Sequence, residues 1–326
     1  MDRRRFVALI SGALAAPLLR AQQPGRVYRI GFLVPDWTGR ARTGFRNEAF
    51  ENGLQELGYV VGGNILIEYR SAQGVGDRLS GLAQELVDLN VSLIVTVNTV
   101  AALAAKEETT KIPIVMTVAS SVVERGLVPS LGRPEGNITG LIWDVEPEMN
   151  GKRLQLLKEA VPGASRIAVL WDLVVAPKPE SKKAVEEAST ALRVQLLWPE
   201  ISDDLDGVFA TVVRERAQAV FVGGGVRFFG FRQKIVELAA RHRLPTIFEE
   251  VQNVEAGGLM SFAPDGRGQL KAAAKYVDRI LKGARPADLP IERPTKLDLV
   301  INLKTAKTLG LKFPQSLLLR ANRVVE

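Results

Sequence analysis

The pattern of the first half of this 326-residue chain returns in its second half, about 120 to 140 residues later. The segments Arg29-Ile30-Gly31-Phe32-Leu33, Val91-Ser92-Leu93-Ile94-Val95, Ile112-Pro113-Ile114-Val115 and Gly136-Asn137-Ile138-Thr139-Gly140-Leu141 have counterparts in the same order. These are Arg166-Ile167-Ala168-Val169-Leu170, Gln218-Ala219-Val220-Phe221-Val222, Leu244-Pro245-Thr246-Ile247-Phe248 and Ala256-Gly257-Gly258-Leu259-Met260. Each apolar run is short, rich in β-branched residues and followed by a turn or a helical stretch, which is how a parallel strand buried on both faces reads. The expectation is an α/β chain of two Rossmann-like lobes, each with a parallel sheet, facing each other across a cleft.

The pattern along the first half supports this. Residues 27–34 read as a buried strand and 45–57 as a helix with Phe50, Leu54 and Leu57 on one side, ended by Gly58. Residues 65–69 alternate as a strand, 79–89 are helical, and 93–97 form a strand that runs straight into a helix over 100–107, so Asn98 or Thr99 is the expected N-cap. The same rhythm resumes at Arg166 and implies right-handed parallel crossovers. The tail differs from both halves. An amphipathic helix over 269–282, a Pro-rich stretch over 286–294, a strand over 297–301 and a short helix over 303–309 can add one element to each lobe. The chain is therefore expected to cross between lobes near 143–147, 261–265 and 284–290, giving a multi-strand hinge. Lobe one is expected to span 27–143 plus 262–286, and lobe two 144–261 plus 287–326.

The first 21 residues stand apart from the fold. Arg3, Arg4 and Arg5 form a basic head, residues 6–19 are mostly apolar and too short to cross a bilayer, and Ala21 precedes Gln22-Gln23-Pro24 as a cleavage point. That is the pattern of an export signal, and Arg3-Arg4-Arg5-Phe6 also fits the twin-arginine form. The chain has no cysteine, so no disulfide staples it and no lipid-accepting cysteine follows the signal. The expected location is the periplasm. Of the net charge of +7, Arg3, Arg4, Arg5 and Arg20 against Asp2 account for +3, and the remaining +4 is too small to argue for a nucleic-acid partner.

No reactive constellation is legible. The single histidine, His242, sits in Arg241-His242-Arg243 at a helix end, and without cysteine or a second histidine an ordinary transition-metal site has no ligand set. No nucleophile elbow and no phosphate-binding loop occurs, and Gly223-Gly224-Gly225 fails the dinucleotide spacing because Val226-Arg227-Phe228-Phe229 intervenes before Gly230. The glycines read instead as a tight turn that brings backbone to the cleft. No catalytic residue, metal or cofactor is expected.

Ligands of open parallel sheets bind beyond the carboxyl ends of the strands. The candidates there are Asp36, Trp37, Asn98, Thr99, Ser120 and Ser121 in lobe one, and Asp172, Arg227, Phe228, Glu249 and Glu250 in lobe two. Hydroxyls and amides dominate the first set, and charges and an aromatic the second. That division suits a small zwitterion: Thr99 and Ser121, before helix starts, would take a carboxylate, Glu249 or Asp172 an amino group, and Trp37 or Phe228 an apolar side chain.

The export pattern, the doubled lobes and five passages together carry a family resemblance. The passages are Asn64-Ile65-Leu66-Ile67-Glu68-Tyr69-Arg70, Ala101-Ala102-Leu103-Ala104-Ala105-Lys106, Gly126-Leu127-Val128-Pro129-Ser130-Leu131, Gly257-Gly258-Leu259-Met260-Ser261, and Pro294-Thr295-Lys296-Leu297-Asp298-Leu299-Val300-Ile301-Asn302-Leu303-Lys304-Thr305-Ala306. Over nearly its whole mature length the chain resembles ABC-transporter substrate-binding proteins of the family that includes tryptophan- and tyrosine-binding members. The resemblance implies a type I periplasmic-binding-protein fold, an amino-acid-like or related small ligand, and an inner-membrane ABC permease as partner. Two departures bear on the ligand. Many relatives carry Gly-Thr-Pro where this chain has Asn98-Thr99-Val100, and an aspartate-proline pair near Ser121-Val122, so the acid that would meet an amine is missing there. Two rivals remain on sequence alone, a two-lobed Rossmann-like enzyme such as a nucleotide-sugar transferase and an extracytoplasmic ligand sensor. The first needs a nucleotide site that the chain does not display.

Overall fold

A computed structural model describes residues 27–35, 45–171, 179–224, 228 and 230–326. Asp36, Trp37, Asp172, Arg227 and the export pattern over 1–21 lie outside the described residues.

The first half folds as β1 (Tyr28–Val34), α1 (Phe45–Glu56), β2 (Ile65–Ser71), α2 (Arg78–Asp88), β3 (Ile94–Val97), α3 (Thr99–Glu108), β4 (Ile114–Ala119) and β5 (Ile138–Ile142). Its sheet has the order β2-β1-β3-β4-β5, parallel throughout. The second half adds α4 (Glu148–Ala160), β6 (Arg166–Leu170), α5 (Pro179–Leu192), β7 (Gln195–Leu197), α6 (Leu205–Arg214), β8 (Ala219–Val222), α7 (Arg232–Arg241), β9 (Thr246–Phe248), α8 (Val251–Glu255) and β10 (Met260–Pro264). In the second sheet the run β7-β6-β8-β9-β10 repeats the order of the first, so the four repeated sequence segments occupy matching places in matching sheets.

The strands read as apolar runs because both faces are covered. Successive residues alternate between two cores: Ile30, Phe32 and Val34 face Phe50 and Leu54 of α1, whereas Leu33 faces Leu79, Ala83 and Leu86 of α2. In lobe two Ile167 and Val169 join Leu154 and Leu157 of α4, while Ala168 and Leu170 join Phe209 and Ile235. Leu57 is the exception to the expected α1 stripe. The helix stops at Glu56, Gly58 takes φ +89° with its N–H on Gln55 O, and Leu57 is left exposed.

The tail goes to both lobes. Helix α9 (Gly266–Leu281) packs its Leu270, Ala273, Ala274 and Val277 face on the lobe-one core with α1. Strand β11 (Leu297–Asn302) joins the second sheet, followed by α10 (Leu303–Leu309), α11 (Gln315–Arg320) and β12 (Arg323–Val325). Both sheets are mostly parallel; β11 is the antiparallel member, pairing with β10, Pro264 opposite Leu297 and Met260 opposite Ile301. The chain leaves lobe two from the carboxyl end of β10 and comes back to that same end, so the returning strand must run the other way. The return also lies later than 284–290. Leu289 and Ile291 are buried in lobe-one cores, and Glu292 exchanges backbone hydrogen bonds with Gly140 and Ile142 beside β5, so the passage to lobe two falls between Glu292 and Leu297.

Two buried phenols tie α9 into lobe one. Tyr59 donates to Asp278 Oδ1 at 3.0 Å, and Tyr276 donates to Pro290 O at 2.8 Å. Burial pushes both hydroxyls well above the usual tyrosine range, reinforced by Asp278 at Tyr59 and by Glu292 at Tyr276. A raised phenol is neutral in the fold where the unfolded chain would ionise, so this stabilisation is complete below about pH 10 and is lost as pH climbs above it. Denaturation curves between about pH 8 and about pH 11 should show stability falling in the upper half of that window, and the double variant Tyr59→Phe/Tyr276→Phe should fall less steeply.

Candidate ligand-binding site

Strand polarity decides where a site can form. Lobe one hands the chain on from the carboxyl end of β5 and lobe two from the carboxyl end of β10, so the carboxyl edges of both sheets border the junction that the chain crosses three times. Trp143, in the first crossing, packs against Gly266, where a Cβ would stand 3.4 Å from its ring. Gln269 of α9 donates to Ile142 O at 2.9 Å, and Asp265 caps α9 through Gly268 N at 3.0 Å.

On the lobe-one side the backbone is bent into unusual conformations. Asn98 takes φ +69°, and its Oδ1 accepts from Val100 N at 3.0 Å and Ala101 N at 3.3 Å, the N-cap that the sequence predicts for α3. Thr99 Oγ1 donates to Ser120 O at 2.9 Å and accepts from Ser120 N at 2.8 Å, clamping both sides of the loop after β4. The register of β4 against β5 shifts between Met116 and Ala119, and Val118 stands at φ +53°, costly for a β-branched residue. Ser121 follows at φ +54°. A turn closed by Arg125 N on Ser121 O at 3.0 Å succeeds it, so the regular helix expected after Ser121 is not formed. The surrounding fold therefore holds Asn98, Val118 and Ser121 in left-handed conformations at this one edge.

An acid does stand beside Ser121, supplied from another part of the chain. Asp144, in the first crossing, accepts from Ser121 N through Oδ2 at 2.8 Å, and Arg293 of the third crossing forms an ion pair with Glu146 at 3.4 Å.

On the lobe-two side the first two glycines of the run have a steric cause. A Cβ on Gly223 would lie 2.8 Å from the Trp171 ring, and one on Gly224 would land on Glu249 Oε2. Trp171 closes the carboxyl end of β6, stacked on Trp198 at 6.2 Å and tilted against Phe221 at 5.9 Å. A small pocket lies between Gly223, Gly224, Phe228, Phe248, Glu249, Glu250 and Asn253.

Glu249 is held from behind by Arg153 of α4. The Arg153 side chain is 1% exposed and Glu249 15%, with Nη1 to Oε1 at 3.0 Å. Arg153 also donates to Phe262 O at 2.7 Å and to Asn150 Oδ1 at 2.6 Å. Burial pulls its guanidinium below the ordinary arginine range, and Glu249 pulls it back.

The structure thus gathers Asn98, Thr99, Ser120 and Ser121 at one edge and Phe228 and Glu249 at the other, with Phe228 buried in the pocket wall. Sequence reasoning missed Asp144, Trp171 and Arg153. Arg153 had a signal, because it falls three residues after Asn150 and beside Leu154 and Leu157 on the apolar stripe of α4, where a cation needs a partner. His242 caps α7 and stacks on Phe209 at 6.4 Å, a packing role away from the junction residues.

Two doubled α/β lobes meeting at the carboxyl ends of their strands, joined by three crossings, define the class of type I periplasmic binding proteins. The family model for ABC transporter substrate binding proteins matches residues 42–325, and the chain belongs to that family. A tyrosine-binding protein of Clostridioides difficile is 24% identical over 267 residues, 81% of this chain and 76% of that one. A Streptococcus pneumonia ABC domain solved in complex with L-Trp superposes with a TM-score of 0.78 at 25% identity, covering 92% of this chain and 100% of that one. The ligand-free, open structure of a substrate-binding protein with adhesive properties from Clostridium difficile superposes with a TM-score of 0.72 at 22% identity, covering 92% and 99%.

Replacing Gly224 by Ala forces the new methyl against the Glu249 carboxylate and should cost about 1–3 kcal/mol. Gly230, where a Cβ meets open space, is the control, and Gly230→Ala should stay within about 0.5 kcal/mol of the parent in chemical denaturation.

Proposed function

We propose that this chain is the periplasmic solute-binding component of an ABC importer, which captures an amino-acid-like solute between its lobes and delivers it to an inner-membrane permease. The observation that carries this is the meeting of two chemically different strand edges at one three-way junction. Lobe one offers hydroxyls, amides and strained backbone; lobe two offers a carboxylate pocket walled by aromatic rings. Family membership supports the transport role, and the relatives named for tyrosine binding and solved with L-Trp support the ligand class.

In this reading the ligand's polar acid end lies against the loops at Asn98–Thr99 and Ser120–Ser121. Thr99 acts by fixing the Ser120 peptide, because both functions of its hydroxyl are already used on that peptide. The amino end lies toward Glu249, and Phe228 backs the pocket. Asp36, Trp37, Asp172 and Arg227 belong to the same strand ends by sequence position and complete the proposed set. Closure brings the two half-sites together, since a ligand that touches both lobes stabilises the closed state by the contacts it gains there.

Calorimetry and thermal melting with L-tyrosine and L-tryptophan test the ligand class. Binding should raise stability by about 2.7 kcal/mol when ligand stands at a hundred times its Kd. Small-angle scattering should show a smaller radius of gyration at saturation; tight binding with an unchanged radius would remove hinge closure from the proposal. N-terminal sequencing of the protein recovered from a periplasmic fraction should begin just after Ala21. Full-length chain found only in the cytoplasm would remove export.

A further inference from the structure

The two oxygens of Glu249 are used differently. Oε1 takes the Arg153 guanidinium at 3.0 Å, while Oε2 lies over Gly224 in the pocket wall and accepts no hydrogen bond among the described residues. The guanidinium itself has no freedom to choose another geometry. It is locked by Phe262 O on β10 and Asn150 Oδ1 on its own helix, and it is buried to 1% exposure. A carboxylate on the end of a three-carbon side chain would otherwise rotate, and its aim would be lost. Glycine at position 224 leaves the space that this oxygen occupies.

Charge decides what the free oxygen is for. Glu249 and Glu250 both line the pocket, and Arg153 is bonded to Glu249 from behind. The Glu249 oxygen that Arg153 leaves free is a carboxylate oxygen and can only accept, so it suits a donor on the solute, and a charged ammonium better than a neutral one.

We propose that Arg153 is a positioning residue for ligand recognition: by holding one oxygen of Glu249 it presents the other to a primary ammonium group of the solute, and so makes lobe two the amine-selecting half of the site. This rests on the amino-acid reading given above and adds to it the residue that sets amine selectivity. Asp144, an acid of the first crossing, is engaged by Ser121 N.

The test is a selectivity ratio, which a merely structural role would not move. Affinities of the purified mature protein are measured by calorimetry for L-tyrosine and for 3-(4-hydroxyphenyl)propionate, which lacks only the ammonium group. The parent should prefer L-tyrosine by about tenfold or more. Arg153→Lys keeps the charge but not the fork that fixes Glu249, and should cut the preference severalfold while leaving affinity for the propionate unchanged. Arg153→Met alone strands a buried carboxylate and is a poor probe of binding. The double variant Arg153→Met/Glu249→Met removes both charges together, and it should fold and bind the two compounds about equally. A double variant that keeps the parent's amine preference would overturn the proposal and move the ammonium to another acid. Equal losses for both compounds in Arg153→Lys would also overturn it, leaving Arg153 as a structural residue. A parent that binds L-tyrosine and the propionate equally defeats the Arg153 role alone, whereas a parent that binds neither compound nor L-tryptophan defeats the amino-acid reading itself.

Discussion

Parallel strands joined by right-handed crossovers have a direction, and nearly everything about this molecule depends on it. Because each lobe is a βαβ array, all of its loops that follow strands lie on one edge. The chain leaves each lobe from that edge, at Ile142 and again at Pro264, and the return after Glu292 runs beside β5 to the same place. Two carboxyl edges are therefore brought face to face by connectivity before any side chain contributes. The antiparallel entry of β11 is the same constraint seen from the other side, since a chain that comes back to the junction can only run away from it.

Three passages instead of one make the junction a hinge with its own polar lining. Asp144 in the first passage takes the Ser121 amide, Gln269 after the second takes Ile142 O, and Arg293 in the third pairs with Glu146. These contacts connect loop geometry to lobe orientation. A shift in the crossing strands moves Asp144, and Asp144 is bonded to the loop where Val118 and Ser121 hold strained backbone. Arg153 does the same for lobe two, tying α4, which follows the first passage, to β10, which precedes the second, and to the pocket carboxylate. A buried ion pair of this kind stabilises a fold little in itself, yet breaking it by removing one partner costs about 3–5 kcal/mol. Its contribution here is to geometry.

Much of this was legible along the chain. The strands and helices of lobe one, the cap at Asn98, the glycine stop at Gly58 and the duplication of strand order all rest on contacts between residues close in sequence or on apolar periodicity. The same local rules misled at Ser121, where a hydroxyl before a turn looked like a helix start, and at Leu57, which continues the apolar stripe one residue past the end of the helix. The rule that sites lie after parallel strands nominates Asn98, Thr99, Ser120, Ser121, Phe228 and Glu249 as candidates, because that rule needs only the order of elements.

What the sequence by itself determined was the set of elements, their duplication and the edge on which polar loops must gather, since these follow from periodicity and from chain direction. What only the tertiary structure decided was who meets whom across long separations. Asp144 reaches Ser121 from 23 residues away, Arg153 reaches Glu249 from 96 and Phe262 from 109, separations over which local pattern says nothing. The triple glycine shows the difference most plainly. As sequence it reads as a tight turn that brings backbone to the cleft, and in the fold two of its missing side chains are the space taken by Trp171 and by the carboxylate of Glu249. Local propensity sees the neighbours along the chain, whereas the demand for those two glycines comes from side chains packed against them from elsewhere.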